Sequence, residues 1–169
     1  GHGFRSNGFS LIRRIMQSSF GDNWHNEPYD NDQTWGEILL TPSLIFTPLI
    51  TKMIKTGTEL SGIAHITGGG IIDNFQRVLK ANGLGADLNN LFEPLEVMKR
   101  LMKLGEVTDE DAYLYWNMGN GMLLVADESQ VEQLLKTAAS LNYDAQVAGV
   151  ITTGRNVKLK TSNTELFNL

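Results

Sequence analysis

Gly62-Ile63-Ala64-His65-Ile66-Thr67-Gly68-Gly69-Gly70 is the stretch that organises this sequence. An apolar run reads as a strand over Leu60–Thr67, three consecutive glycines follow, and an amphipathic helix over Ile71–Lys80 begins at once. Glycines carry no Cβ, so their backbone N–H groups are open to approach, and a helix N-terminus behind them adds the positive end of its dipole. The combination is a seat for phosphate or another anion. The same glycines would also serve a tight strand-to-helix connection with positive φ. Two suffice for that, and the third is surplus to it. The string fits neither G-x-x-x-x-G-K-[ST] nor G-x-G-x-x-G, so a P-loop and a dinucleotide fingerprint are both unsupported. Asp73, in the first turn of the helix, suits the dipole but would repel a phosphate unless it points away or binds a metal ion.

Working outward, strands and helices alternate. Apolar residues at 9, 11, 12, 15 and 16 give a helix that ends near Phe20-Gly21, with Ser6 or Asn7 as its expected cap. Residues 21–36 read as a long polar loop, uncommon in a compact domain and expected to be functional or mobile. Glu37–Leu40 fits a short strand or a helical turn, and 44–46 an extended piece. Pro48 opens a helix to Lys55. Further strands are expected at 84–88, 121–126 and 143–152, with a last edge strand at 157–160. Helices are expected after Pro94, after the capping pattern Thr108-Asp109-Glu110-Asp111, and after Asp127. The sequence therefore predicts one α/β (α+β) domain over residues 4–160, with helices packed on a central mixed sheet. Residues 1–3 are expected to be a vector-derived scar and 161–169 a frayed tail.

Composition narrows the function classes. The 169 residues are 41% hydrophobic and 20% charged, enough for a real core. A net charge of −5 argues against general nucleic-acid binding, though not against one phosphorylated metabolite. The chain has no cysteine, which removes disulfides, thiolate nucleophiles and Cys-ligated zinc. No apolar stretch reaches the roughly 18 residues of a membrane span. A cytoplasmic location and no membrane partner are the expectation.

Other candidate residues lie around the glycines. His65 points with Ile63 and Thr67 by the period-2 rule; a strand histidine is commonly a hydrogen-bonded core residue, but one beside such a loop suits contact with substrate or phosphate. Asn117, Gly119 and Gly121 in Trp116-Asn117-Met118-Gly119-Asn120-Gly121 offer amide donors and close backbone approach, or simply an ordinary turn. Ser6-Asn7-Gly8 reads first as a helix cap. There is no HxxH or HExxH spacing and no G-x-S-x-G elbow, so no metal site is expected. Met98, Met102, Met118 and Met122 read as core filler.

The order of these motifs resembles the C-terminal half of the phosphoribosylformylglycinamidine cyclo-ligase (AIR synthetase) family. The carriers are Ser6-Asn7-Gly8-Phe9-Ser10-Leu11, Leu40-Thr41-Pro42-Ser43, Ala64-His65-Ile66-Thr67-Gly68-Gly69-Gly70 and Asn117-Met118-Gly119-Asn120-Gly121-Met122, over about Phe4 to Val150. The resemblance implies an AIR synthetase C-terminal-domain-like fold. It implies an enzyme that uses ATP and Mg²⁺ to activate the formyl oxygen of formylglycinamidine ribonucleotide, closing an imidazole ring in the fifth step of purine synthesis. It further implies a homodimer, and an N-terminal domain, absent here, that carries most of the ATP contacts. Carried over, Ser6 and Asn7 line the cleft, Thr67, Gly68, Gly69 and Gly70 bind phosphate or substrate, and His65 is the catalytic candidate. Asn117, Gly119 and Gly121 form the opposite wall. Arg5 stands where the family usually has histidine, so a permanent charge replaces a titratable ring. This chain alone is expected not to turn over. Related readings keep the architecture and change the reaction: formylglycinamidine ribonucleotide synthetase, selenophosphate synthetase or thiamine-monophosphate kinase. A non-catalytic module that binds a phosphometabolite is the reading from another class.

Overall fold

The computed structural model describes residues 3–161 and 165–167. They group into two compact units that interleave along the chain. Unit 1 is Gly1–Leu44, Ile66–Ile71 and Phe92–Gly121; unit 2 is Ile45–His65, Ile72–Leu91 and Met122–Leu169.

Unit 1 is helical. Helix α1 (Phe9–Phe20) buries Ile12, Ile15 and Met16 on one face and leaves Arg13 and Arg14 in solvent. It packs on α5 (Glu96–Gly105), which buries Val97, Met98 and Leu101. Gly105 lies so close that a Cβ there would stand 2.5 Å from Ile15 Cγ1. Each fully buried Ile, Leu or Met of this interface contributes about 1.5–3 kcal/mol over its exposed state. Helix α2 (Trp35–Leu39) starts with a capping box: Thr34 Oγ1 accepts from Glu37 N, and Glu37 accepts from Thr34 N at 2.8 Å. The Thr34 amide, and after it the Thr34 hydroxyl donating at 3.1 Å, hold the Glu37 carboxyl below the ordinary carboxylate range. Helix α6 (Asp109–Tyr115) is capped by Thr108 Oγ1, which accepts from Asp111 N at 3.2 Å.

The stretch expected as an open loop over 21–36 is built more closely than its polarity suggested. It contains a 3-10 turn at Trp24–Asn26 and an isolated bridge between Pro28 and Thr34, and its last residues already belong to α2. Asp30 Oδ1 accepts from the amides of Asp32 and Gln33, closing an Asx turn. Tyr29 stacks edge-to-face on Trp35 with ring centres 5.0 Å apart. Arg100, on α5, places its guanidinium 4.3 Å from the centre of the Tyr29 ring and donates to the Tyr29 carbonyl at 2.7 Å.

Unit 2 carries the strands. The strand β1 (Gly62–His65) pairs antiparallel with β3 (Met122–Val125). A second, four-stranded sheet runs in the order β4 (Gly149–Thr152), β2 (Gly85–Leu88), β5 (Val157–Lys160), β6 (Glu165–Phe167). Among the described residues only the β2–β5 pair of this sheet is parallel. On the covered face stand Ala86, Leu88, Val157 and Leu159, and the alternate residues Lys158 and Lys160 are exposed. Helices α3 (Thr47–Lys55) and α7 (Val131–Ser140) meet through Leu49, Met53 and Ala138, with Phe46, Leu60, Leu124 and Leu134 around them. Helix α4 (Gly70–Leu79) begins in unit 1 and continues in unit 2.

The α/β class holds, but among the described residues the strands divide between two sheets where one central sheet was expected. The strand expected over 143–152 is reduced to β4. Next to β4 the Asn89 and Asn90 amides both donate to the Ala148 carbonyl, and beyond it Asn90 Nδ2 donates to the Val147 carbonyl and Gln146 Nε2 to the Asn90 carbonyl, so the regular ladder ends there. The segment 157–160 is interior, because residues 165–167 of the expected tail form β6 beside it. Residues 1, 2, 162–164, 168 and 169 lie outside the described part, so the rest of the scar and tail expectations fall there. Among the described residues no helix is long and apolar enough to cross a membrane.

Replacing Arg100 with Ala removes a cation–π contact and a carbonyl bond, each of order 1 kcal/mol or less. The expected outcome is a stability loss of about 1 kcal/mol, with faster amide exchange confined to residues 29–33. Unchanged exchange there would contradict the pinning by α5.

Candidate functional site

The glycine turn separates into three distinct roles. Gly70 N donates to the Thr67 carbonyl at 3.0 Å, closing the turn. Gly69 has φ 90° and Gly70 φ 64°, both in the left-handed region where a Cβ is strained. Gly70 also packs directly on the end of α6, and a Cβ there would collide with the Tyr113 carbonyl oxygen. Gly68 has neither constraint. It is exposed, and an added Cβ would meet only Asn7 Cβ, at 3.8 Å. The third glycine, surplus to the turn, is therefore the one that opens toward the Ser6-Asn7-Gly8 segment. On its other flank the turn is fixed by Ile66 N donating to the Gly121 carbonyl at 3.0 Å.

Neither Ser6 nor Asn7 caps α1. The N-cap is Gly8, with φ 78° and no side-chain cap. Asn7 turns away from the helix and its Nδ2 donates to the Tyr115 carbonyl at 2.6 Å, the last residue of α6. Gly8 lies flat on the Trp116 indole, where a Cβ would stand 2.7 Å from Nε1. A side chain at position 8 is thus excluded, and with it any ordinary capping geometry. The first-turn amides of α1 therefore have no side-chain cap from the N-cap residue. Ser6 is exposed at the crest of the same loop.

The Trp116–Gly121 segment forms a brace. Asn117, 2% exposed, donates through Nδ2 to the Gly3 carbonyl at 3.3 Å and accepts through Oδ1 from Gly119 N at 2.9 Å. Asn120 binds Phe92 at both its N–H and its C=O, and also the Met118 carbonyl. Gly119, at φ 84°, approaches the Glu93 carbonyl so closely that a Cβ would stand 2.5 Å from it. Met98 and Met118 are fully buried. The contacts of Asn117 and Gly119 are thus with backbone, and they fix the course of this segment. Trp116 Nε1 is buried without a hydrogen-bond partner among the described residues, a cost of about 1–3 kcal/mol offset by aromatic packing on Phe4.

Charge around these loops is modest. Arg5 is half-buried and donates through Nη1 to the Leu44 carbonyl at 3.1 Å. Burial, reinforced by Glu93 and Asp109, pushes the Tyr113 phenol up to about 12, so it stays neutral and adds no negative charge here. His65 and Asp73 are exposed and fall in unit 2, with the His65 ring 6.2 Å from the Phe46 ring and edge-on to it. Among the described residues no three His, Asp or Glu side chains converge as a metal site. The donor set suits an anion held by backbone amides and hydroxyls.

Residues 1–162 match the family model described as "AIR synthase related protein, C-terminal domain". The chain belongs to this AIR synthase-related family. It is 39% identical over 155 residues to the phosphoribosylformylglycinamidine cyclo-ligase of Carboxydothermus hydrogenoformans, covering 90% of this chain and 44% of that protein. It is 40% identical over 133 residues to the cyclo-ligase of Gloeobacter violaceus, covering 78% of this chain and 39% of that one. A bifunctional purine biosynthetic protein of Dictyostelium discoideum is 33% identical over 163 residues, covering 95% of this chain and 20% of the other. The chain thus spans less than half the length of the curated relatives it matches.

The family's motifs acquire separate physical jobs in this chain. Ser43, within the Leu40–Ser43 string, had no assigned role in the sequence; its hydroxyl donates to the Phe4 carbonyl at 3.0 Å. Only its bond to a residue 39 positions away marks it, and no local pattern carries that. Gly69→Val, the obvious probe of the loop, is unsuitable because φ 90° penalises any β-branched residue. The pair Gly68→Ala and Gly70→Ala separates the roles. Gly68→Ala is expected to leave stability within about 1 kcal/mol of wild type. Gly70→Ala is expected to cost about 2 kcal/mol or more. Equal losses in urea unfolding would contradict the division.

Proposed function

We propose that this chain is the C-terminal domain of an ATP-dependent cyclo-ligase. That enzyme closes the imidazole ring of formylglycinamidine ribonucleotide, giving aminoimidazole ribonucleotide, in cytoplasmic purine synthesis. The observation that carries the reading is Gly68, a glycine that the turn does not need, exposed opposite Asn7 in a chain matched to cyclo-ligases over most of its length. In this reading the backbone of Gly68 and Gly69 and the first turn of α1 receive the phosphate of the substrate, with Ser6 and Thr67 adding hydroxyls. Arg5 adds positive charge nearby. Backbone donors fixed before binding need no reorganisation, which suits a reaction governed by positioning and charge stabilisation. His65 is proposed as the catalytic residue that the family resemblance implies, and Asp73 is left as a first-turn carboxylate of α4.

ATP with Mg²⁺ supplies the activation of the formyl oxygen. Its binding is proposed to lie mainly with an N-terminal domain in a homodimer, as the family resemblance implies. On this reading the chain alone binds phosphorylated ligand and does not release ADP.

Calorimetric titration of the chain with formylglycinamidine ribonucleotide tests the proposal. Binding is expected, with Gly68→Ala at least about tenfold weaker, equivalent to about 1.4 kcal/mol. His65→Gln is expected to lower affinity with the fold intact. Equal affinity in Gly68→Ala would reduce the triple glycine to a turn. Binding of a different phosphometabolite and not of this one would move the chain to a related enzyme or a non-catalytic module. ADP formation by the chain alone would contradict the division of labour.

A further inference from the structure

The segment 3–7 belongs to no helix or strand, yet partners from elsewhere in unit 1 hold it at nearly every residue. Asn117 donates to the Gly3 carbonyl, Ser43 to the Phe4 carbonyl, Arg5 to the Leu44 carbonyl and Asn7 to the Tyr115 carbonyl. Phe4 is 4% exposed, with its ring edge-on to Trp116 at 5.5 Å and to Phe9 at 6.2 Å. Ser6 alone stands exposed between the two pinned stretches. A coil fixed from two flanks has lost its freedom before any ligand arrives, so an exposed hydroxyl on it meets a ligand in one orientation.

The bonds to residues 41–44 are not equivalent. The Arg5–Leu44 bond and the packing of Gly3 on the Thr41 carbonyl already hold the two segments together. Ser43 adds a bond to one particular carbonyl, that of Phe4, two residues before Ser6. Removing this hydroxyl leaves the segments docked and frees the Phe4–Arg5 peptide to rotate.

We propose that Ser43 is a positioning residue for the anion seat: its bond to the Phe4 carbonyl fixes the loop Ser6–Gly8 and hence the direction of the Ser6 hydroxyl. The inference rests on the functional reading above and assigns Ser43 no contact with ligand. Its consequence is energetic coupling. Ser43 matters to binding only while Ser6 is present.

The test is a double-mutant cycle on the whole chain, with inorganic pyrophosphate as the calorimetric probe and thermal unfolding as the check of fold. Ser43→Ala is expected to weaken binding about 5- to 10-fold, the scale of one hydrogen bond. Ser43→Thr, which keeps the hydroxyl, is expected to restore it. Ser6→Ala is expected to weaken binding similarly, and the double variant to be no weaker than Ser6→Ala. Wild-type affinity in Ser43→Ala, or losses that multiply in the double variant, would overturn the positioning role while leaving the seat intact. A wild-type chain that binds no pyrophosphate would overturn the seat and this inference together. Should Ser43→Ala fail to fold, Ser43→Cys keeps the size with a weaker donor and replaces it in the cycle.

Discussion

The close approach of the glycine turn to the end of α6 sets the geometry on which the rest depends. Gly70 occupies a position where a single methyl would strike the Tyr113 carbonyl oxygen, and Gly69 beside it adopts a φ that side chains resist. Such an arrangement is stable only with glycine, and it brings the start of α4 to the same helix end that Asn7 binds through the Tyr115 carbonyl. Two helix beginnings, α1 and α4, thereby share one carboxy-terminal anchor. Because the turn consumes only two of its glycines, Gly68 is left facing outward.

Around that anchor the polar residues divide by burial. Asn117 and Asn120 are sealed and spend their amides on backbone groups of their own unit, as buried amides must. Ser6 and Gly68 remain at the surface. The buried amides make the loops stiff, and the exposed groups are what the stiff loops display. The uncapped start of α1 follows from the same packing, since Gly8 has room for no side chain over Trp116. A missing cap ordinarily costs of order 1 kcal/mol.

The helices were readable because each carries its own period. The spacing of Ile12, Ile15 and Met16, or of Val97, Met98 and Leu101, is set within one turn of chain and survives into the fold. The strands were less readable. β4 is short because its ladder ends where the Asn89 and Asn90 amides share the Ala148 carbonyl, and β5 is interior because β6 returns beside it. Both are decided by distant residues. The candidate site shows the same division. Gly68, Gly69 and Gly70 announce themselves in sequence, while the bonds that orient Asn7 and Asn117 span 108 and 114 positions. A local motif such as Ser-Asn-Gly reads as a helix cap until the remote Tyr115 carbonyl claims the asparagine.

The proposed function rests on one claim, that main-chain amides at two helix starts in unit 1 receive a negatively charged group. Backbone ¹H–¹⁵N shifts followed during titration with formylglycinamidine ribonucleotide test it most directly. The account predicts that the largest, saturable changes fall on the amides of Gly68, Gly69 and the first turn of α1. Saturable changes centred elsewhere, with those amides unmoved, would contradict it.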